Sequence, residues 1–264
     1  VAPIGWPRHG GFTPVLRTLS LSTARLSSGV GHVVGKPLKQ HLRCGAVLVG
    51  LVMSGAAAAA VEGTATLMSD YVWRGSSQSD GDPAVQAGVK LSAANGWYAS
   101  AWGSGVSFTP DNGARSEFDL VAGWSGAVAP DWSVDVNLTR YLYPSTTVDL
   151  DWTELNGTVT WRQRAWLQVG VSDNALAGGH GGTYAQLGAR LPLGGQWRVE
   201  GAVGHYWLDS AQADDYLHGQ LSVVWRVHGP WELRVTGHDT DGAAKQLFPG
   251  NAGSRVEVAV QTAF

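Results

Sequence analysis

The final ten residues of the chain, RVEVAVQTAF at positions 255–264, carry the pattern that decides the fold. In an extended strand, successive side chains point to opposite faces. One face of this segment would then be apolar and the other polar, with Val256, Val258, Val260 and Phe264 against Arg255, Glu257 and Gln261. One face suits hydrocarbon and the other suits water, which is typical of a strand in the wall of a transmembrane β-barrel.

The same alternation recurs from residue 61 onwards in segments of about ten residues, bounded by Gly, Pro, Asn or Asp. Short connections fall at 94–96, 130–131, 163–164, 194–196 and 229–230, and long ones at 78–82, 109–115, 144–151, 174–182, 209–215 and 240–254. This regular alternation predicts an all-β fold, a transmembrane antiparallel β-barrel of about 12 strands over residues 61–264. Its first and last strands should pair, because hydrocarbon leaves no partner for a free sheet edge.

The 13 tryptophans are unusually many, and their positions suggest interface anchors. One ring is expected near the short connections, formed by Trp97, Trp124, Trp132, Trp161, Trp166, Trp197, Trp225 and Trp231, with Phe264 at the chain end. A second ring is expected at the long loops, formed by Tyr71, Trp73, Phe108, Tyr141, Tyr143, Trp152, Tyr184, Tyr206, Trp207 and Tyr216. Two aromatic girdles flank the apolar band of such barrels. The alternative is that these aromatic residues fill a soluble core.

The composition argues against several other classes of protein. The chain has 264 residues, 36 glycines, one cysteine and only 15% charged residues, so neither disulfide bonds nor a heavily charged surface is expected. A net charge of -3 gives no sign of nucleic-acid binding. The mean hydropathy of -0.06 is too low for a helical membrane protein.

Residues 36–60 have the layout of a signal peptide. Lys36, Lys39 and Arg43 precede an apolar run, and the small residues at 56–60 follow it, with cleavage expected near Ala60. The alternative is a membrane-anchor helix, although the run is short and no basic cluster follows it. Residues 1–35 are interpreted as a start-site extension or a disordered segment. Export of a barrel predicts the outer membrane of a Gram-negative bacterium, with outer-membrane lipid around it.

The segment SDYVWRGSSQSDGDPAVQAG at 69–88 resembles the opening of the TorF-type putative porins, a family long described as a domain of unknown function. The likeness continues at 95–99 with Trp102, at 117–119 with Trp124, and more loosely at 152–155, and so covers most of the chain after the signal. Trp73 stands where the family tends to have Phe. The resemblance implies a barrel and suggests a pore. It also makes Phe264 the terminal aromatic residue that the barrel assembly machinery would recognise.

Charged residues of both signs fall on the predicted lumen face: Asp70, Arg74, Lys90, Glu117, Asp119, Asp135, Glu154, Arg162, Arg190, Arg198, Glu200, Arg226, Glu232, Arg234, Arg255 and Glu257. In an open channel such residues would line the pore and set its field. Alternatively, opposite charges on neighbouring strands would pair and fill the lumen. The five arginines from Arg190 onwards could form a basic track for anionic or acidic-sugar solutes.

No local pattern carries catalysis or a metal. Four histidines and two serines could supply a base and a nucleophile, namely His205, His218, His228, His238, Ser210 and Ser222, but no spacing links them. Asp80 and Asp82, like Asp239 and Asp241, lack the distal glutamate of a calcium loop. The glycine-rich run at 178–182 lacks the lysine of a phosphate-binding loop and is expected to be an external loop.

These observations predict an outer-membrane porin that lets small hydrophilic solutes diffuse through, without cofactor, metal or catalysis. The alternative is a plugged barrel with a structural or adhesive role, and a third hypothesis is an outer-membrane enzyme. The solute, the oligomeric state and the openness of the lumen are left undecided by the sequence.

Overall fold

A computed structural model describes residues 60–144 and 146–264. The predicted signal peptide at 36–60 and the extension at 1–35 therefore lie outside the described residues, apart from Ala60. Twelve long strands form one sheet: β1 (Ala60–Met68), β4 (Ala84–Ser92), β5 (Trp97–Gly105), β6 (Ser116–Ala129), β7 (Trp132–Leu142), β8 (Trp152–Trp161), β9 (Ala165–Ser172), β10 (Gly182–Gly194), β11 (Trp197–Leu208), β12 (Tyr216–His228), β13 (Trp231–Thr240) and β14 (Arg255–Ala263).

The smaller elements all lie in the long loops. A hairpin of two short strands, β2 (Val72–Trp73) and β3 (Ser76–Ser77), follows β1, a 3-10 helix covers Ala175–Ala177, and α1 (Gly242–Leu247) precedes β14. No helix within the described residues is long and apolar enough to cross a membrane.

The sheet closes into an antiparallel barrel. Each strand pairs with its sequence neighbours, and β1 pairs with both β4 and β14, in the order β1-β14-β13-β12-β11-β10-β9-β8-β7-β6-β5-β4. At the seam, Thr64 lies opposite Ala263, and Gly63 exchanges backbone hydrogen bonds with Phe264. The predicted strand number, pairing of first and last strands, and alternation of short and long connections are confirmed. The first loop differs most from its predicted bounds, because it spans 69–83 instead of 78–82.

The two faces of the wall follow the predicted alternation. In β14, Val256, Val258 and Val260 point outward and are exposed, whereas Glu257 is buried inside. In β5, Trp97 is outward and Ser104 is inward. The outward face is therefore a band of exposed valine and leucine with a polar interior behind it.

An outward belt of tryptophans surrounds the short-turn end. Trp97, Trp132, Trp197 and Trp231 are each about half exposed, and Phe264 is the most exposed large apolar residue of this end at 79%. Neighbouring strands bring these side chains together, with Trp97 opposite Trp124, Trp132 opposite Trp161, and Trp197 stacked on Trp225 at 5.5 Å. Trp166 is the exception, since it lies on the inward face beside Gln168 and donates to Gln186.

The prediction of a second outward girdle at the long loops is wrong. Of the ten aromatic residues assigned to it, only Trp207 is strongly exposed, at 46%. Seven are buried inside the barrel: Tyr71, Trp73, Tyr141, Trp152, Tyr184, Tyr206 and Tyr216. They pack together there with small apolar residues such as Ala84 and Ala244, so the barrel has an apolar core confined to its long-loop end.

Candidate functional site in the barrel lumen

The first long loop, residues 69–83, folds into the lumen and is called the inward loop below. Its tip is a two-residue turn between Trp73 and Ser76, in which Arg74 and Gly75 both have positive φ, at 46° and 85°. Positive φ at both central residues is the type I′ geometry that matches the twist of a tight hairpin. Asp70 and Arg74, which the sequence assigned to the lumen face, therefore lie inside the barrel but on this loop instead of on the wall.

Arg74 reaches the far wall of the barrel. In the ring of 12 strands, β9 stands opposite β1, and Arg74 contacts the strands on either side of it. Its guanidinium donates two hydrogen bonds to the carboxylate of Glu154 on β8, at 2.7 and 2.8 Å. It also lies over the rings of Tyr184 on β10 at 3.8 Å and Tyr206 on β11 at 5.0 Å. Because Arg74 and Glu154 are 3% and 1% exposed, this is a fully buried ion pair.

Aromatic side chains of the inward loop complete the contacts on the other side. Trp73 packs edge-on against Tyr141 and Trp152, at 6.1 and 6.0 Å between ring centroids. Tyr71 packs against Trp102 on β5 at 5.7 Å. Aromatic pairs in this edge geometry add to the stabilisation that burial alone provides. Burial raises the pKa of the Tyr71 phenol well above its ordinary value, so the hydroxyl stays neutral.

The base of the inward loop is fixed to β14 and to the last long loop. Asp70 accepts from Arg255 at 2.7 Å, and Ser77 donates its backbone N–H to Asn251 at 2.8 Å. At Gly75 there is no room for a side chain, since a Cβ would lie 2.6 Å from Thr240 and 2.7 Å from His218. The inward loop thus touches the wall from β5 round to β14 and fills the long-loop end of the lumen.

The short-turn end is different, because it holds a cluster of charges that water reaches. Glu200 accepts from Arg190 and Arg198 at 2.7 Å and from Arg234 at 2.9 Å. Glu232 also pairs with Arg198 and lies 3.9 Å from the mostly exposed Arg226. Four arginines therefore face two glutamates on adjacent strands β10 to β13. We call these six residues the arginine cluster.

The other predicted lumen residues are spread along the wall. Lys90, Glu117, Asp119, Asp135, Glu154 and Glu257 all point inward from their strands. Arg255 faces inward too, but it lies at the long-loop end and so does not join the other arginines. Arg162 is not in the lumen at all, since it lies in an exposed turn and pairs with Asp131 of the adjacent turn.

Neutral polar residues, which the charge-based reading passed over, occupy the middle of the lumen. They are Gln86, Asn137, Asn156, Gln168, Gln186, Ser222 and Thr236, all buried. Each alternates with outward apolar residues on its strand, as Gln168 does between Leu167 and Val169. That parity could have identified them from the sequence.

The residues considered for catalysis do not assemble. Ser222 hydrogen-bonds Thr236 at 2.9 Å, His218 bonds Tyr184 at 2.9 Å, and His238 bonds Glu257 at 3.2 Å. Within the described residues, no serine donates to a histidine, and no group of three or more His, Cys, Asp or Glu side chains is placed to hold a metal ion. The glycine-rich run at 178–182 lies in a long loop and at the start of β10.

Comparison with known proteins assigns this chain to a family of bacterial proteins. The model of the family Gcw_chp, described as a bacterial protein of unknown function, matches residues 53–264. No curated protein matches the sequence significantly.

Among solved structures, the KdgM porin in complex with disordered oligogalacturonate has a TM-score of 0.50 and 7% identity, covering 78% of this chain and 99% of that chain. The NanC porin has a TM-score of 0.49 and 8% identity, covering 78% and 99%. The COG4313 outer membrane channel from Pseudomonas putida F1 has a TM-score of 0.46 and 8% identity, covering 77% and 95%. At such identities the likeness concerns the fold alone.

Proposed function

Because this chain belongs to the Gcw_chp family, whose function is unknown, its role has to be inferred from the barrel, and we propose a porin-like channel of the bacterial outer membrane. The channel would pass small hydrophilic solutes and is closed at its long-loop end by the inward loop. The earlier resemblance to TorF-type putative porins agrees with this proposal, which includes no catalytic step and no cofactor.

The outward face supports the membrane location. A closed sheet with exposed Val and Leu outside has no free edge and satisfies its backbone hydrogen bonds internally, as hydrocarbon requires. We propose that Trp97, Trp132, Trp197, Trp231 and Phe264 lie at the inner interface, where indole and ring edges meet both lipid and water. The long loops would then face the outside.

The observation that carries the channel is that, among the residues that the structure describes, the apolar core is confined to one end of the lumen. A barrel with a purely structural role would gain stability from apolar filling throughout its interior. Here the apolar core stops at the long-loop end, while the arginine cluster at the other end stays accessible, with Arg226 61% exposed and Arg190 35% exposed. An apolar core at one end of the lumen and accessible charges at the other are suited to a pore that is closed at its long-loop end.

The plugged structural or adhesive barrel remains a second candidate, and the inward loop itself favours it. The loop is buried, carries an ion pair and touches most of the wall, so it could close the lumen permanently. The two proposals differ in a single property. A channel conducts ions when the loop leaves, whereas a permanently plugged barrel does not open under any native condition.

We expect the arginine cluster to make the open pore prefer anions, because four arginines outweigh two glutamates there. In planar bilayers with a KCl gradient, the reversal potential should lie closer to the equilibrium potential of chloride than to that of potassium. Replacing Arg190 and Arg226, the two most exposed members, by alanine should move the reversal potential towards the equilibrium potential of potassium. Arg115→Ala is the matched control, since Arg115 pairs with Asp111 in an external loop.

Cation preference that is unchanged by the two alanine substitutions would contradict this selectivity. An absence of current through the unaltered chain would not bear on it, because the same measurement can be made on a variant without the inward loop.

A further inference from the structure

An indole ring lies against the inner wall of the barrel near its short-turn end. Trp166 is on β9, and its direct partner on β10 is Gly188. A Cβ at residue 188 would collide with the benzene part of this indole, so the ring occupies the space that a side chain there would need. Its Nε1–H donates to Gln186 at 3.3 Å, which fixes the ring on the wall. Trp166 is still partly exposed, so the ring also offers surface to the lumen.

A guanidinium with unused donors lies beside this ring. Arg190 comes two residues after Gly188 and so points to the same face of β10. Its Cζ lies 5.8 Å from the centroid of the Trp166 ring. Arg190 donates to Glu200 through Nε, and neither of its terminal amino groups forms a hydrogen bond with another described residue. Because its side chain is partly exposed, those two amino groups can reach a solute in the lumen.

The positive charge of Arg190 is also available to a solute. Its partner Glu200 is paired with Arg198 and Arg234 as well, so one carboxylate is shared by three guanidinium groups. A planar guanidinium with two free amino groups can hold a carboxylate through two parallel hydrogen bonds. The charged end of this site therefore favours a carboxylate.

The indole decides what kind of group should carry that carboxylate. Aromatic rings attract one another in offset stacks, so the exposed part of Trp166 favours a second aromatic ring. The amide of Gln186 has both ends engaged, because it accepts from Trp166 and donates to Tyr184. It offers no free partner to the hydroxyls of a sugar ring, which would lose water on entering the site. An aromatic ring has no such requirement.

We propose that Trp166 and Arg190 form a binding site for an aromatic carboxylate inside the lumen. The proposal rests on the proposed function and deepens it, since it names a class of solute that the channel would pass. The site lies at the short-turn end, where the arginine cluster is accessible, so a solute can reach it while the inward loop stays in place.

Binding can be measured without conduction, by saturation-transfer NMR of sodium benzoate added to the full chain in detergent, with detergent alone as the blank. Three comparison ligands each lack one feature. Benzamide has the ring without the charge, cyclohexanecarboxylate has the charge without an aromatic ring, and glucuronate carries its charge on a hydroxyl-rich ring. We expect saturable binding of benzoate that is at least about fivefold tighter than that of any of the three.

Substitutions of the two residues separate the ring from the charge. Trp166→Leu should weaken benzoate binding about fivefold, because the stacked ring is lost, and Trp166→Phe should keep most of the affinity. Arg190→Gln should weaken it about tenfold or more, because the charged hydrogen bonds are lost. Arg190→Lys should recover only part of that loss, since lysine has the charge but not the planar fork.

Trp225→Leu and Arg162→Gln are the matched controls and should leave benzoate binding unchanged. Trp225 belongs to the tryptophan belt and stacks on Trp197, and Arg162 lies in an exposed turn at the same end of the barrel. A heat-dependent gel shift shows that each variant is folded. Should Trp166→Leu fail to fold, the Arg190 variants and the comparison ligands still decide.

Benzoate binding that survives both Trp166→Leu and Arg190→Gln would overturn the site. Equal binding of any comparison ligand would do the same, as would no binding of benzoate by the folded chain. These results are distinct from a failure of the channel: conduction without binding overturns the site alone, and binding to a barrel that never conducts overturns the channel alone.

Discussion

Replacing the inward loop by a two-residue Asn-Gly turn should turn a nearly silent barrel into one with stepwise openings in planar bilayers. Met68 and Ala84, the last and first residues of β1 and β4, are paired directly, so a two-residue type I′ turn can join them. Removing residues 69–83 takes away Tyr71, Trp73 and Arg74, which fill the long-loop end. We expect single-channel conductance to rise by roughly an order of magnitude or more, as a constriction is lost.

A control variant shortens a different external loop, with residues 147–149 replaced by Gly-Gly. These residues are exposed and lie outside the lumen, so conductance should stay at the level of the unaltered chain. If the variant without the inward loop still forms a barrel, as a heat-dependent gel shift would show, but remains silent, the proposed channel is wrong and the plugged barrel is favoured.

Breaking the buried ion pair of the inward loop should release the loop. Arg74→Met leaves the buried Glu154 without its cationic partner, and Glu154→Gln leaves the buried Arg74 without its carboxylate. An uncompensated charge of this kind costs about 3–5 kcal/mol, which the barrel avoids if the loop moves into water. We expect chymotrypsin to cleave after Tyr71 or Trp73 in both single variants and to leave the unaltered chain intact there, with conductance rising in parallel.

The double variant Arg74→Met with Glu154→Leu removes both charges and keeps apolar volume, so it should recover much of the protection. Arg115→Met tests an exposed ion pair with Asp111 and should have no measurable effect, because water screens that pair. Single variants that resist chymotrypsin as well as the unaltered chain does would show that the ion pair does not hold the loop.

The barrel itself was predictable from local patterns. Strands such as β13 and β14 alternate strictly, and their connections alternate in length, so strand number and closure follow from sequence and from the lack of hydrogen-bond partners in hydrocarbon. The face of the wall on which each aromatic side chain lies could also be predicted from the sequence. Tyr141 shares its parity with Asn137 and Thr139, which marks it as inward. The second girdle was mispredicted because these residues were assigned by their closeness to a long loop, and not by the face of the strand that their odd or even position gives them.

The inward loop was harder to predict, for a physical reason. Arg74 and Glu154 are 80 residues apart in sequence, and no local period relates them. Asp70 and Arg74 were assigned to the lumen face, and the first long loop was placed only at 78–82. The signal that could have indicated a turn is the pair Arg74-Gly75, where both residues adopt positive φ. A glycine there is favoured because that conformation strains other residues.

The position of the inward loop inside the barrel is the central claim, and the reactivity of a single thiol tests it most directly. With Cys44, the only cysteine of the chain, replaced by serine, Ser76→Cys puts one thiol next to the tip of the inward loop, where the serine is 3% exposed. Asp82→Cys is the control, because Asp82 is an exposed residue of the same loop.

In isolated outer membranes, a water-soluble thiol reagent should label the cysteine at residue 82 at once and should leave the cysteine at residue 76 unlabelled until the barrel is denatured. A cysteine at residue 76 that reacts as fast as the cysteine at residue 82 would place the loop outside the barrel and contradict the account.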